Sequence, residues 1–262
     1  MTDEPTVRRV RSDEDAVSAH YLGERGARYA STVQRNRALA GVLNREKFAE
    51  FVRPSDTVLD FGCSSGELLL SLEATERIGV EVNAATRAEA VQAGLSVFES
   101  LHSVTDQSVN VAISNHVLEH VLSPYDVLRD LRRVLQPAGR LVLCVPADDW
   151  RNARHWRAVD PDHHVFAWTP LTLGNLLTEA GFDPVFVRMR QRAWPPKYEQ
   201  LHRLPRPMWN AACFAWAIAR RRREILAFAK PAADATPKPG GGRPGGQTVR
   251  PGDSTTLDRA KA

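Results

Sequence analysis

Short apolar runs alternate with stretches of helical spacing through the middle of the chain. The runs Thr57 to Phe61, Arg77 to Val82, Leu95 to Phe98, Val109 to Ser114 and Gly139 to Pro146 have the length and apolar content of buried strands. Between them, Gly66 to Glu73, Ala84 to Ala93, Pro124 to Leu135 and Pro170 to Ala180 repeat apolar positions at helical intervals. Strands that alternate with helices predict a parallel sheet covered on both faces, because each parallel crossover needs a helix's worth of chain. Pro137 and Gly139 punctuate the last crossover as turn residues. Phe182 to Met189 and Glu224 to Ala229 predict two further strands, separated by a segment unlike the rest. Upstream, Ala38, Val42, Phe48 and Phe51 among many charges predict two flanking helices within Asp13 to Phe51.

With 43% hydrophobic and 25% charged residues in 262, the composition predicts one catalytic domain, placed here at residues 13–230. Residues 1–12 predict a loose N-terminus. Residues 231–262 are rich in Pro and Gly, almost without large apolar side chains, and predict a disordered tail that cannot offset the entropy of folding.

Charge is distributed unevenly. The formal net charge is +4, yet residues 1–183 are net acidic while 184–229 hold ten Lys or Arg against two Asp or Glu. Within that stretch, a basic and aromatic insert at 191–223 interleaves Trp194, Trp209 and Trp216 with arginines and ends in Arg220 to Arg223. Apolar and cationic side chains together suit a lipid headgroup interface, so peripheral membrane contact through 208–223 is one expectation. A helix packed on the domain with a solvated basic end is the other. No RNA-reading module or continuous basic face accompanies the insert, so no nucleic-acid partner is expected. Met208 to Ala219 is too short to cross a bilayer core of roughly 30 Å. The first residues, with Asp3, Glu4, Arg8 and Arg9, predict no secretory signal. Cys63, Cys144 and Cys213 lack disulfide or zinc-ligand spacing, which predicts a reducing cytoplasm and no metal site.

The densest chemistry lies in Val58-Leu59-Asp60-Phe61-Gly62-Cys63-Ser64-Ser65-Gly66-Glu67-Leu68-Leu69: an apolar strand with an acidic residue near its end, a small-residue turn, then a helix. Open α/β sheets bind ligands at such carboxyl ends. Gly62 and Gly66 permit close backbone approach and dihedrals that a Cβ forbids. Glu81, after the next strand, can accept hydrogen bonds from both hydroxyls of a ribose. A dinucleotide site competes, but its G-x-G-x-x-G pattern needs glycine where Ser64 and Glu67 stand, and Glu67 would repel a pyrophosphate.

This stretch resembles motif I of the class I S-adenosylmethionine-dependent methyltransferases. Ser108 to Val121, containing Asn115-His116-Val117-Leu118-Glu119-His120-Val121, resembles that superfamily's fourth-strand motif in its "hvLEHv" branch, type 11/23-like. Leu131 to Leu141 resembles its helix, turn and fifth strand. The resemblance spans roughly residues 55 to 185 and implies a doubly wound, Rossmann-like, seven-stranded α/β sheet, mostly parallel with a reversed last strand. It implies S-adenosylmethionine as cofactor, with Asp60, Gly62, Cys63, Ser64 and Gly66 around the methionine part, Glu81 and Val82 at the ribose, Glu99, Ser100 and Leu101 near the adenine, and Asn115 with His116 beside the sulfonium. The chain departs from the pattern at Ser64, usually the middle glycine, and at Asn110, usually an aspartate.

Transfer to a hydroxyl needs alignment and a proton acceptor, and histidine suits neutral pH. The candidates are His116 and His120 after the fourth strand, and His163 and His164 in the Ala147 to Thr169 loop, a plausible acceptor lid. His120 could equally begin a helix, and Arg132 and Arg133 suggest a solvated helix face. The expected reaction is O-methylation of a small acceptor, with a sugar or lipid-linked glycan favoured by resemblance. A quinone or secondary-metabolite acceptor, or cofactor binding without catalysis, are the alternatives. Activity is expected to survive chelators.

Overall fold

The computed structural model describes residues 18, 21–24, 26, 36–147, 151, 155–157, 160 and 163–233. The predicted loose N-terminus and nearly all of the predicted tail lie outside the described residues, as does most of the segment assigned to a first N-terminal helix. The second is helix α1, Arg37–Phe48.

Strands β1 (Thr57–Phe61), β2 (Glu76–Val80), β3 (Ser96–Phe98), β4 (Val109–Asn115), β5 (Leu135–Pro146), β6 (Phe182–Arg190) and β7 (Glu224–Pro231) form one seven-stranded sheet in the order β3-β2-β1-β4-β5-β7-β6. The first five pair in parallel, and β7 inserts antiparallel between β5 and β6. Helices α2 (Glu67–Ser71), α3 (Ala84–Gln92), α4 (Pro124–Val134) and α5 (Pro170–Glu179) supply the crossovers, while α6 (Tyr198–Leu201) and α7 (Arg206–Arg220) occupy the basic insert.

The period of two along each strand divides the core. Leu59, Ala112, Leu141, Leu143 and Ile225 face one layer with Leu128, Leu131, Leu173 and Leu177 of α4 and α5. Their neighbours Val58, Val111, Ile113, Val142 and Leu226 face the other with Phe48, Leu69 and Ala90. Helix α4 begins with Pro124 and buries Val127, Leu128, Leu131 and Val134 on one stripe. Thr169 caps α5 in a capping box with Thr172.

Three local expectations are corrected. β5 starts at Leu135 rather than Gly139, because Val109 pairs with Leu135 and Val111 with Arg140, so Pro137 and Gly139 turn within a bulge of the strand. Helix α2 ends at Ser71 because Leu72 is already extended. Arg132 and Arg133 are structural staples: Arg132 donates to the carbonyls of Gly181 and Ala232, and Arg133 to those of Leu101 and Val104, besides pairing with Asp106 and Asp130.

Asn110 has a fold-level role. Its Oδ1 accepts from the Thr57 backbone N–H at 2.8 Å and its Nδ2 donates to Gln136 Oε1 at 2.8 Å, joining β1, β4 and the β5 bulge. An aspartate could not donate the second bond. No helix among the described residues is long and apolar enough to cross a membrane.

Candidate active site

The turn from Phe61 to Gly66 lies at the carboxyl ends of β1 and β2. Gly62 and Cys63 donate backbone N–H groups to Val80 O at 2.8 and 3.2 Å, and Gly66 to Cys63 O at 2.9 Å. Gly62 (φ +80°) and Gly66 (φ +87°) occupy the left-handed region, as does Ser64 at φ +51°. A Cβ on Gly62 would stand 2.3 Å from Val117 Cγ2, and one on Gly66 2.2 Å from Leu95 Cδ1. Dihedral angle and internal packing therefore require these glycines, rather than ligand contact at both. Ser64 takes a conformation that glycine adopts more cheaply, and its N–H is used: it donates to Glu81 Oε2 at 2.8 Å.

Glu81 directly follows β2 with both oxygens engaged, Oε1 accepting the Asn83 N–H at 2.7 Å. Each oxygen retains a lone pair, so the carboxylate can still receive a pair of hydroxyls. Burial raises its pKa, opposed by those N–H bonds. Asp60 is buried, and burial together with the Glu81 charge pushes its carboxyl up to about 8.

These groups open on a cavity of about 410 Å³, a size suited to a small-molecule ligand. Of the predicted residues, Asp60, Gly62, Ser64, Glu81, Val82, Asn115 and His116 line it. Cys63 and Gly66 lie behind the turn, where Cys63 is buried and burial pushes its thiol up. Ser100 and Leu101 are not on the wall: Ser100 caps the turn that follows it, and Leu101 is in the core. Glu99 pairs with Arg87 at 3.0 Å.

His116 stands in the left-handed region (φ +56°), its N–H held by Cys144 O at 2.8 Å. It keeps 40% of its side-chain surface, and the protein packed around it lowers its pKa by burial, opposed by Glu224. His120 also lines the cavity, with Nδ1 2.7 Å from the Tyr21 hydroxyl. Burial, then His164, holds its pKa down at about 4. His163 is exposed, and His164 stacks edge-on to the His120 ring at 5.0 Å. Neither is on the wall. The predicted lid is tied down at Glu119, whose carbonyl accepts from Val165 and Phe166, although parts of that loop lie outside the described residues.

Tyr21, Arg37, Asn44, Trp194 and Tyr198 line the cavity without having been singled out for this site from the sequence. The Trp194 and Tyr198 rings lie 5.3 Å apart and come from the basic insert, so that segment builds part of the site wall. Their spacing of four residues was the available signal. Beneath His116, Lys47, Cys144 and Glu224 converge, and Lys47 Nζ lies 2.7 Å from Glu224 Oε2.

Three carboxylates on the wall, Asp60, Glu67 and Glu81, with Arg37 the neighbouring guanidinium, fit a cationic nucleoside better than a pyrophosphate. The sheet order, the reversed β7 and this site at the strand ends define a doubly wound nucleoside-binding fold. The family model described as "Methyltransferase domain" matches residues 27–186. The chain is 31% identical over 175 residues to a ubiquinone biosynthesis O-methyltransferase of Roseobacter denitrificans, covering 56% of this chain and 68% of that protein. Among solved structures it is similar to an S-adenosylmethionine-dependent methyltransferase from Archaeoglobus fulgidus (TM-score 0.55, 19% identity, 78% of this chain and 99% of the other). It is likewise similar to geranyl diphosphate C-methyltransferase from Streptomyces coelicolor A3(2), solved with S-adenosyl-L-homocysteine (TM-score 0.51, 15% identity, 83% and 90%). The chain belongs to the methyltransferase-domain family and is an S-adenosylmethionine-dependent methyltransferase.

Two outcomes follow from this geometry. Gly62→Val should cost about 2–4 kcal/mol by denaturant unfolding and abolish S-adenosylhomocysteine binding by calorimetry, because the branched side chain meets Val117 at a positive φ. The Asp60 carboxyl, raised above its unfolded value to about 8, contributes stability that is complete below pH 4 and is lost as pH rises through 8. Asp60→Asn should therefore flatten the decline in ligand-free thermal stability between those limits and weaken cofactor binding. An unchanged pH profile together with unchanged affinity would refute the assignment.

Proposed function

We propose that the enzyme methylates an oxygen of a small acceptor that lies against the wall formed by Trp194 and Tyr198. Asp60, Ser64, Glu81 and Val82 would hold the cofactor, whose sulfonium supplies an already activated methyl group. The observation carrying this reading is that His116 and His120 both face the cavity and that burial lowers the pKa of both rings, favouring the neutral imidazole. A neutral imidazole can take the proton of a hydroxyl as it is alkylated, which an amine acceptor would not need. His116 borders Asn115 at the strand end and is assigned as the base. His164, behind His120, supports that ring, and His163 contributes at the lid.

A sugar or lipid-linked glycan remains a candidate acceptor, since flat aromatic walls stack on sugar rings. The wall also suits a phenol, and the name of the Roseobacter relative favours a quinol precursor. Incubation with labelled cofactor and parallel panels of lipid-linked glycans and polyphenols should place the label on one panel, with full activity in EDTA. Label on amines alone would sink the oxygen assignment.

We also propose that the protein works at the cytoplasmic face of a membrane through α7. Trp209 and most of Trp216 pack inward, so the aromatic face inferred from sequence is not the outer one. Met208, Phe214 and Ile218 are exposed instead, beside exposed Arg206 and Arg220 to Arg223, and no acidic residue stands between 200 and 223. Apolar area flanked by arginines that pair with no carboxylate among the described residues complements an anionic bilayer. Co-sedimentation with anionic vesicles should fall when Arg220 to Arg223 are replaced by serine, and equal recovery of both proteins would refute the contact.

A further inference from the structure

Lys47 and Glu224 form an ion pair with side-chain exposures of 6% and 7%, an arrangement whose desolvation cost makes it weak evidence of a purely stabilising purpose. Lys47 comes from the last turn of α1, and its Nζ also donates to Asn115 Oδ1 at 3.1 Å. Glu224 opens β7, which the reversed insertion between β5 and β6 brings opposite Pro146. The Cys144 thiol donates to Glu224 Oε2 at 3.3 Å, and burial pushes that thiol up to about 12, so it remains a donor. Burial disfavours the Glu224 carboxylate, but Lys47 and then His116 outweigh it and hold its pKa well below the ordinary range. Burial likewise opposes the Lys47 charge, yet Cys144 and Glu224 keep its pKa raised. The pair is a buried ion pair directly behind a wall residue of the cavity.

That residue is His116, whose Nε2 lies 3.6 Å from Glu224 Oε2. We propose that Glu224, anchored by Lys47, is the positioning residue for His116: it fixes the ring with Nε2–H toward the carboxylate and leaves Nδ1 to receive the acceptor's proton. The inference rests on the assignment of His116 as base. A carboxylate opposite one ring nitrogen sets the tautomer and favours the imidazolium that forms as the other nitrogen takes a proton. Catalytic hydrogen bonds are often this long in ligand-free sites and tighten only when substrate assembles them.

The titratable groups facing the His116 ring are Glu224 from β7, Lys47 from α1, His164 from the loop after β5, and Glu119 and His120 on its own turn. Glu119 Oε1 is 3.7 Å from Nδ1, nearly the separation of Nε2 from Glu224, and what distinguishes Glu224 is that Lys47 holds its carboxylate in place at 2.7 Å. In the reaction, the acceptor oxygen forms the new O–C bond and the sulfur keeps the electron pair of the broken S–C bond. The hydroxyl proton passes to Nδ1 and from there to solvent.

The test combines kinetics with histidine-selective ¹⁵N spectroscopy on the full chain, the His116 signals being identified by their loss in His116→Gln. In the wild type the neutral ring should carry its proton on Nε2. In Glu224→Gln the His116 titration and the acidic limb of kcat should both move to lower pH, because the carboxylate that favoured the protonated ring is gone. kcat should fall roughly 10- to 100-fold with acceptor KM and S-adenosylhomocysteine affinity nearly unchanged. Glu224→Asp should recover part of the loss. If Glu224→Gln does not fold because Lys47 is left unpaired, Lys47→Met/Glu224→Gln removes both charges, and the ring tautomer and kcat then serve as the readouts, because losing Lys47, which disfavours the protonated ring, offsets the titration shift. An inactive His116→Gln beside a Glu224 variant with wild-type titration and kcat overturns the role of Glu224 alone. Full activity of His116→Gln overturns the base assignment and this inference with it.

Discussion

The hydrogen bond from the Ser64 N–H to the Glu81 carboxylate, with the two N–H bonds from Gly62 and Cys63 to Val80, fastens the first turn to the end of the second strand. The cavity has its shape because that turn cannot move. Were the turn free to swing, Asp60 would meet water instead of lying buried beside Glu81, and its raised pKa would disappear. The left-handed backbone at three of the five residues from Gly62 to Gly66 is the cost of bringing those N–H groups inward.

From that fixed edge the site assembles by sheet order. β4 lies beside β1 and delivers Asn115 and His116 across the carboxyl end, while β5, next in line, holds the His116 N–H through Cys144 O. The reversed β7 then brings its first residue, Glu224, to the same end where the parallel strands finish. A parallel seventh strand would have left its first residue at the opposite edge. Helix α1 covers the cavity from the other side and contributes Lys47, so residues distant in sequence meet in one polar cluster.

The local signals held where chemistry is local. Alternating strand faces, the α4 stripe, the Thr169 cap and the glycine turn were each readable, because periodicity, capping and dihedral constraints act over a few residues. They misled where a long-range partner changed a residue's task. Arg132 and Arg133 have the pattern of a solvated face yet reach carbonyls on other elements. Trp194 looked like part of a lipid-facing cluster and instead lines the cavity with Tyr198.

The sequence by itself determined the class of fold, the acidic strand ends and the methyltransferase family, all of which depend on spacing within single βα units. Only the tertiary structure decided which imidazoles reach the cavity, that Tyr21 meets His120, and that Lys47 and Glu224 pair behind His116. Those contacts join residues up to 177 positions apart, Lys47 and Glu224 being the extreme, and no local pattern encodes a separation that sheet order alone closes.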